Sequence, residues 1–280
     1  MPTAGERSGR ETAAFPRSRA GRLASLLGHY VRFNLSAGME YRVSFLMQVF
    51  GMALNNAAFL VFWAILYDRL DSIKGYGFQD VMFLWSLSSL GYGIAAVLMG
   101  NAYFLSRAIY NAELDVYLLQ PKPVLANFLF SRMGVSGWGD IGYGIILFFS
   151  TQALTPGHII LFLFFSLTLA VVLTSLRVFY HSFTFFLGNA EELAVTVSDL
   201  IISFMIYPGG IFEGPAAIIL HSLIPAALVA YIPAEIFRSF DMGRLLEVTG
   251  ADILIVAAAA LTFRLGLRAY ESGSRMGARL

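Results

Sequence analysis

Three carboxylates, Asp140, Asp199 and Glu213, lie in or beside stretches of sequence that are otherwise almost wholly apolar. A charge in such surroundings is costly and by default marks function. Asp140 comes early in one apolar stretch and Asp199 falls inside another, so each has the chemistry of a proton-coupling group; the competing role is a hydrogen bond to Ser or Asn on a neighbouring helix. Asn55, Asn56 and Asn101 are read as such interhelical partners. The four histidines, His29, His158, His181 and His221, are scattered, with no pair one helical turn apart to hold a metal, and are read as interfacial or loop residues. No serine or carboxylate pair has an evident activating neighbour, so no catalytic site is expected. The absence of cysteine excludes disulfides and thiolate chemistry. The glycine-bearing stretches LGYGIAAVLMGN (90 to 101) and GVSGWGDIGYG (134 to 144) lack the strand and lysine of a phosphate-binding loop, and small residues there suit close helix packing.

The elements that must position these groups follow from composition. With 58% hydrophobic and 13% charged residues, no soluble fold could bury the apolar share. Apolar stretches of about twenty residues, each able to cross a hydrocarbon layer of roughly 30 Å, recur along the chain. Spans are expected at residues 43 to 67, 81 to 105, 135 to 154, 158 to 180, 193 to 207 and 252 to 270. Before them, residues 22 to 42 set Leu23, Leu26, Leu27, Tyr30 and Phe33 on one stripe, with Arg22, Ser25, His29 and Arg32 off it, which predicts an amphipathic helix lying on the membrane. The organisation is thus a disordered stretch 1 to 21 without an apolar signal-peptide core, an interfacial helix 22 to 42, a six-helix transmembrane domain 43 to 270 and a tail 271 to 280.

Lysine and arginine set the orientation, because cytoplasmic loops retain positive charge. With the N-terminus inside, fifteen basic residues fall on the cytoplasmic side, Arg177 among them, and four (Arg69, Lys74, Arg238 and Arg244) on the other. Both termini are expected in the cytoplasm. The net charge of +1 gives no reason to expect a nucleic-acid partner.

Two segments depart from plain spans. Between 208 and 232, Pro208, Gly209, Gly210, Gly214, Pro215 and Pro225 interrupt an apolar run, with Pro233 just beyond. This predicts a re-entrant pair of short helices in the outer leaflet, with Glu213 among them, facing the transport path or a partner. Between Ser106 and Arg132, apolar Leu114, Tyr117, Leu118 and Leu119 alternate with Glu113, Asp115 and Gln120 before Pro121 and Pro123, predicting a short amphipathic cytoplasmic helix with a rigid exit.

That loop carries a resemblance. The string NAELDVYLLQPKP resembles an element of the bacterial ABC-2 type transporter permeases, in which glycine commonly stands where this chain has Ala112. The stretch MEYRVSFLMQ (Met39 to Gln48) is similar to that family's approach to its first span, and YPGGIFEGPAAIILHSLIPAALVAYIPAE (Tyr207 to Glu235) to its Pro-rich outer segment.

The resemblance implies a six-span permease of the bacterial inner membrane. It would be paired with an identical or sister permease and driven by separate cytoplasmic ABC ATPase subunits. ATP and magnesium would sit on those partners, and this chain would bind no cofactor. It implies that Glu113, Leu114, Asp115, Tyr117, Leu118 and Pro121 contact the ATPase, that Glu40 and Arg42 shape the lead into the first span, and that alternating access exports a substrate. The rival readings are a secondary transporter coupled to protons through Asp199 or Asp140, a lipid-modifying membrane enzyme and a scaffold subunit. Dependence on ATP separates the first reading from these.

Overall fold

The computed structural model describes residues 18–73, 75–151, 155–207, 214 and 231–270. The described residues are helical apart from short connections, with one isolated bridge between Ile73 and Tyr76. The first helix, α1 (Arg19–Gly38), starts where the Ser18 hydroxyl accepts the Gly21 amide at 3.0 Å. A single 3-10 turn, Met39–Tyr41, leads into α2 (Arg42–Tyr67). Next, α3 (Phe78–Met99) opens with the Gly77 amide donating to Asp80 and continues through a 3-10 turn, Gly100–Phe104, into α4 (Leu105–Tyr110).

The connection after α4 holds two more short helices, α5 (Asp115–Leu118) and α6 (Val124–Phe130), before α7 (Gly137–Thr151) returns. Thr155 caps α8 (Pro156–His181), whose first residue is a proline, as suits a position with no amide partner. The remaining helices are α9 (Thr184–Leu187), α10 (Glu191–Met205), α11 (Ile232–Arg238) and α12 (Met242–Ala269).

At the centre, α3 packs between α7 and α8. The contact with α7 is backbone to backbone: a Cβ on Gly93 would stand 2.7 Å from the Gly137 carbonyl oxygen, and one on Gly144 would stand 2.7 Å from the Ser86 carbonyl oxygen. These are the two glycine-bearing stretches of the sequence, set against each other so that helix axes come closer than side chains would allow. Outward of this seam, Phe83, Phe148, Phe162 and Phe237 form an aromatic core in which Phe148 and Phe162 stack at 3.9 Å.

Helices occupy all six segments expected to span, but unequally. Among the described residues, four helical runs are long and apolar enough to cross a membrane: Ala20–Tyr67, Phe78–Tyr110, Pro156–Leu187 and Met242–Ala269. The other two, α7 and α10, have 15 residues each, about 22 Å at helical rise. The last helix starts ten residues before the expected 252, because Asp241 caps it by accepting from the Gly243 and Arg244 amides. The outward faces of α2 and α12 are apolar and exposed, with Phe50, Phe62 and Ile65 on one and Ile253, Leu254 and Leu261 on the other. Such faces fit a multi-pass membrane protein. The expected re-entrant segment lies outside the described residues except Gly214 and the stretch from Tyr231, as do the ends 1–17 and 271–280.

Candidate functional site

The connection from α4 to α6 is built around one unusual backbone. Ala112 has φ +59°, the left-handed region that favours glycine. Around it the Glu113 amide donates to the Ala108 carbonyl at 2.8 Å and the Ala112 amide to the Ile109 carbonyl at 3.3 Å, the paired bonds that close a helix C-terminus. The turn needs that conformation, which gives a physical reason for the glycine expected there. It also reverses the chain, so that the expected short helix, α5, stands apart from α4 before it and from α6 beyond the prolines.

The turn sends Leu114 inward. Leu114 is fully buried among Leu105, Ile109, Phe128, Phe185 and Phe263. Tyr117 is half-buried, its ring edge-on to Phe128 at 5.3 Å and its hydroxyl 3.0 Å from Ser131 Oγ. Asp115 faces Tyr270 at the end of α12. Glu113, Val116, Leu118, Leu119 and the Pro121–Lys122–Pro123 exit are exposed, Leu119 at 87%. The connection therefore has an anchored side and a bare apolar side.

Hydrogen bonds tie it to its neighbours in both directions. Asn101 Nδ2 donates to the Phe128 carbonyl at 3.0 Å and to Ser131 Oγ at 2.8 Å, joining α6 to the continuation of α3. On the other side Tyr30 donates to Asn127 Oδ1 at 2.7 Å, Asn127 donates to Gln120 at 3.0 Å, and Asn34 donates to the Phe130 carbonyl at 3.1 Å. The surface helix α1 is thus fastened to this connection. Beside it, Arg107, Glu113, Tyr117 and Arg132 line an open cavity of about 490 Å³. Glu40 and Arg42 are exposed at the α1–α2 junction.

Inside the bundle, Asn56 donates to Asp140 Oδ1 at 2.7 Å, both side chains buried, while Asp140 Oδ2 has no partner among the described residues. The interhelical role thus accounts for Asn56 and Asn101, whereas Asn55 is exposed. Asp199 is also exposed, on α10.

Arg177 differs from its sequence assignment. It is no loop charge but a wholly buried residue in the last turns of α8, donating to the Tyr103 hydroxyl with its guanidinium 3.7 Å from that ring and 5.4 Å from Tyr92. The two phenols bond each other at 2.8 Å. His181 likewise is not interfacial; it is fully buried, its Nδ1 2.7 Å from Ser106 Oγ. Asp252, buried on α12, drew no attention in the sequence. Spacing gave one usable signal: Arg177 and His181 are one turn apart on an otherwise apolar helix.

At the opposite end, Arg238 Nε donates to Asp80 Oδ1 at 2.9 Å, and Arg244 pairs with Glu235. Pro233 opens α11, which carries Arg238 and the Phe237 ring stacked on His158 at 4.6 Å. Asp80, His158, Phe237 and Arg238 border a polar cavity of about 270 Å³. Pro208, Gly209, Gly210, Glu213 and Pro225 lie outside the described residues.

Comparison with known proteins supplies one match. The family model described as "ABC-2 family transporter protein" matches residues 53–274, which takes in the glycine seam, the anchored connection and both polar ends. No curated protein and no solved structure matches the chain.

Proposed function

We propose that this chain, which belongs to the ABC-2 family of transporter proteins, is the permease subunit of an ATP-driven exporter and receives force through the connection between α4 and α6. The observation that carries this reading is the two-sidedness of that connection. Leu114 and Tyr117 fasten it to the bundle, while Val116, Leu118, Leu119 and Pro121 leave an apolar tip uncovered. An exposed apolar tip on an element hydrogen-bonded to two helices suits a lever held by a partner.

In this reading two such bundles, identical or sister chains, pair in a bacterial inner membrane, and two ATPase subunits carrying ATP and magnesium dock from the cytoplasm. Glu113, Asp115, Leu118 and Pro121 contribute to the docking surface; Leu114 and Tyr117 transmit its movement inward. Nucleotide must favour one arrangement of the bundles over the other, because only differential affinity shifts a conformational equilibrium. Six crossings, with α7 and α10 counted, leave both termini in the cytoplasm. Glu40 and Arg42 then hold the lead into the first crossing at the membrane surface.

The cysteine-free sequence makes a direct test possible. A single Leu119→Cys substitution, treated in native membranes with a short bifunctional thiol–amine reagent, is expected to link the chain to a cytoplasmic ATPase. Linkage from Leu254→Cys on α12 but not from Leu119→Cys would contradict the docking assignment.

A further inference from the structure

One face of α10 is polar and bare. Glu192, Thr196, Asp199 and Ser203 follow one another at spacings of four, three and four, which places them on one stripe of the helix, and all four are exposed. Ala194, Ser198, Ile201 and Met205 form the opposite, buried face. Among the described residues none of the four stripe side chains makes a hydrogen bond or an ion pair. The contrast with Ser198 is instructive: on the buried face its hydroxyl bonds back to the Ala194 carbonyl at 2.7 Å. A hydroxyl facing lipid would do the same, since hydrocarbon offers nothing else. The Thr196 and Ser203 hydroxyls do not turn back.

A charged residue two turns into a membrane helix faces a bundle interior or a watery cavity, not lipid. Asp199 lies about 10 Å along the axis from Glu192. Arg177 is committed to Tyr103 and Tyr92 inside the bundle, and among the described residues no ion pair to Asp199 is formed. The sequence of α10 contains no lysine or arginine. Exposed Leu193 and Leu200, seven residues apart, run together along one side of the stripe and give an apolar shoulder to an acidic, hydroxyl-lined track.

We infer that this stripe of α10 lines the water-filled translocation path and that the path takes organic cations: molecules whose positive charge is met by Asp199 and Glu192 and whose apolar body rests on Leu193 and Leu200. A track with one sign of charge between low-dielectric walls concentrates counter-ions, so cations are enriched along it and anions excluded. The inference rests on the permease reading for the existence of a path, but it concerns α10 and not the docking connection.

The test uses single cysteines in the otherwise cysteine-free chain, in native membrane fragments open on both sides. Thr196→Cys, Ser203→Cys and, as a lipid-facing reference, Leu254→Cys are treated with a membrane-impermeant trimethylammonium thiosulfonate and with its sulfonate counterpart. Each rate is normalised to that reagent's rate with a free small thiol. Thr196→Cys and Ser203→Cys are expected to react with the cationic reagent at least about tenfold faster than with the anionic one, while Leu254→Cys reacts with neither. Asp199→Asn, which keeps the shape and removes the charge, is expected to erase most of the preference at Thr196→Cys.

Stripe cysteines as silent as Leu254→Cys would overturn the path assignment. Equal rates with both reagents, or a preference that survives Asp199→Asn, would overturn the cation assignment. Neither result depends on whether an ATPase binds, which the Leu119→Cys linkage reads separately.

Discussion

Leu114 and Leu119 stand five residues apart on the connection between α4 and α6, yet Leu114 is fully buried and Leu119 is 87% exposed. The left-handed turn at Ala112 divides the two roles, because it sends the chain back onto the bundle at Leu114 and lets the next turn project away. Leu114→Ala is expected to cost about 2–5 kcal/mol through transfer and cavity terms and to lower the midpoint of thermal unfolding in detergent. Leu119→Asp is expected to leave that midpoint unchanged while abolishing association with an ATPase. Equal effects of the two substitutions on stability would contradict this division.

The turn also makes a prediction of opposite sign. Ala112→Gly is expected to stabilise the protein by about 1 kcal/mol, because a left-handed conformation costs an L-residue roughly that much more than glycine. Ala112→Val, with a branched Cβ, is expected to destabilise it. A lower unfolding midpoint for Ala112→Gly would show that the positive φ at Ala112 is not strained.

Asn56 and Asp140 form a buried pair in which one amide serves one carboxylate oxygen. Asn56→Leu removes the donor, and the loss is expected to cost about 3 kcal/mol or more. Adding Asp140→Asn should recover part of the loss, since the acceptor-only charge is then gone. Failure of that second substitution to improve folded yield in the membrane would argue that the Asp140 charge is needed for something other than this bond.

Arg177 is held by the Tyr103 ring and hydroxyl together. Tyr103→Phe keeps the ring and removes the acceptor, with an expected cost of about 1–3 kcal/mol; Tyr103→Leu, which removes both, is expected to cost more. Arg177→Lys is expected not to restore stability, because a point ammonium cannot stack and donate as the planar guanidinium does. The readout is the amount of monodisperse protein extracted. Wild-type behaviour of Tyr103→Leu would contradict the account of the cluster.

The helices were legible from the sequence because apolar stretches of spanning length leave few alternatives, and the α1 surface helix because its polar residues fall off one stripe. The glycines of α3 and α7 were legible as packing residues, though not as partners of each other. Three features were not legible. Arg177 read as a cytoplasmic loop charge because counting basic residues by side says nothing about which way a side chain near a helix end turns. Leu114 and Leu119 read alike because alternation of apolar and acidic residues cannot show a backbone reversal between them. The polar stripe of α10 was visible only once the buried face through Ala194, Ser198 and Ile201 established which side of the helix looks outward.

In the proposed function, force from a separate ATPase reaches the bundle through the tip bearing Leu118 and Leu119. The most direct measurement is to extract the tagged protein gently from its native membrane, identify what accompanies it and assay ATP hydrolysis. A Leu118→Asp/Leu119→Asp variant and the Asp115→Lys/Tyr117→Ala variant are carried in parallel. The account predicts a co-purifying ATPase subunit and ATP hydrolysis for the wild type, both lost in the first variant although its permease is extracted in normal amount. Wild-type protein that arrives alone, hydrolyses no ATP and drives transport in vesicles only with a proton gradient would contradict it.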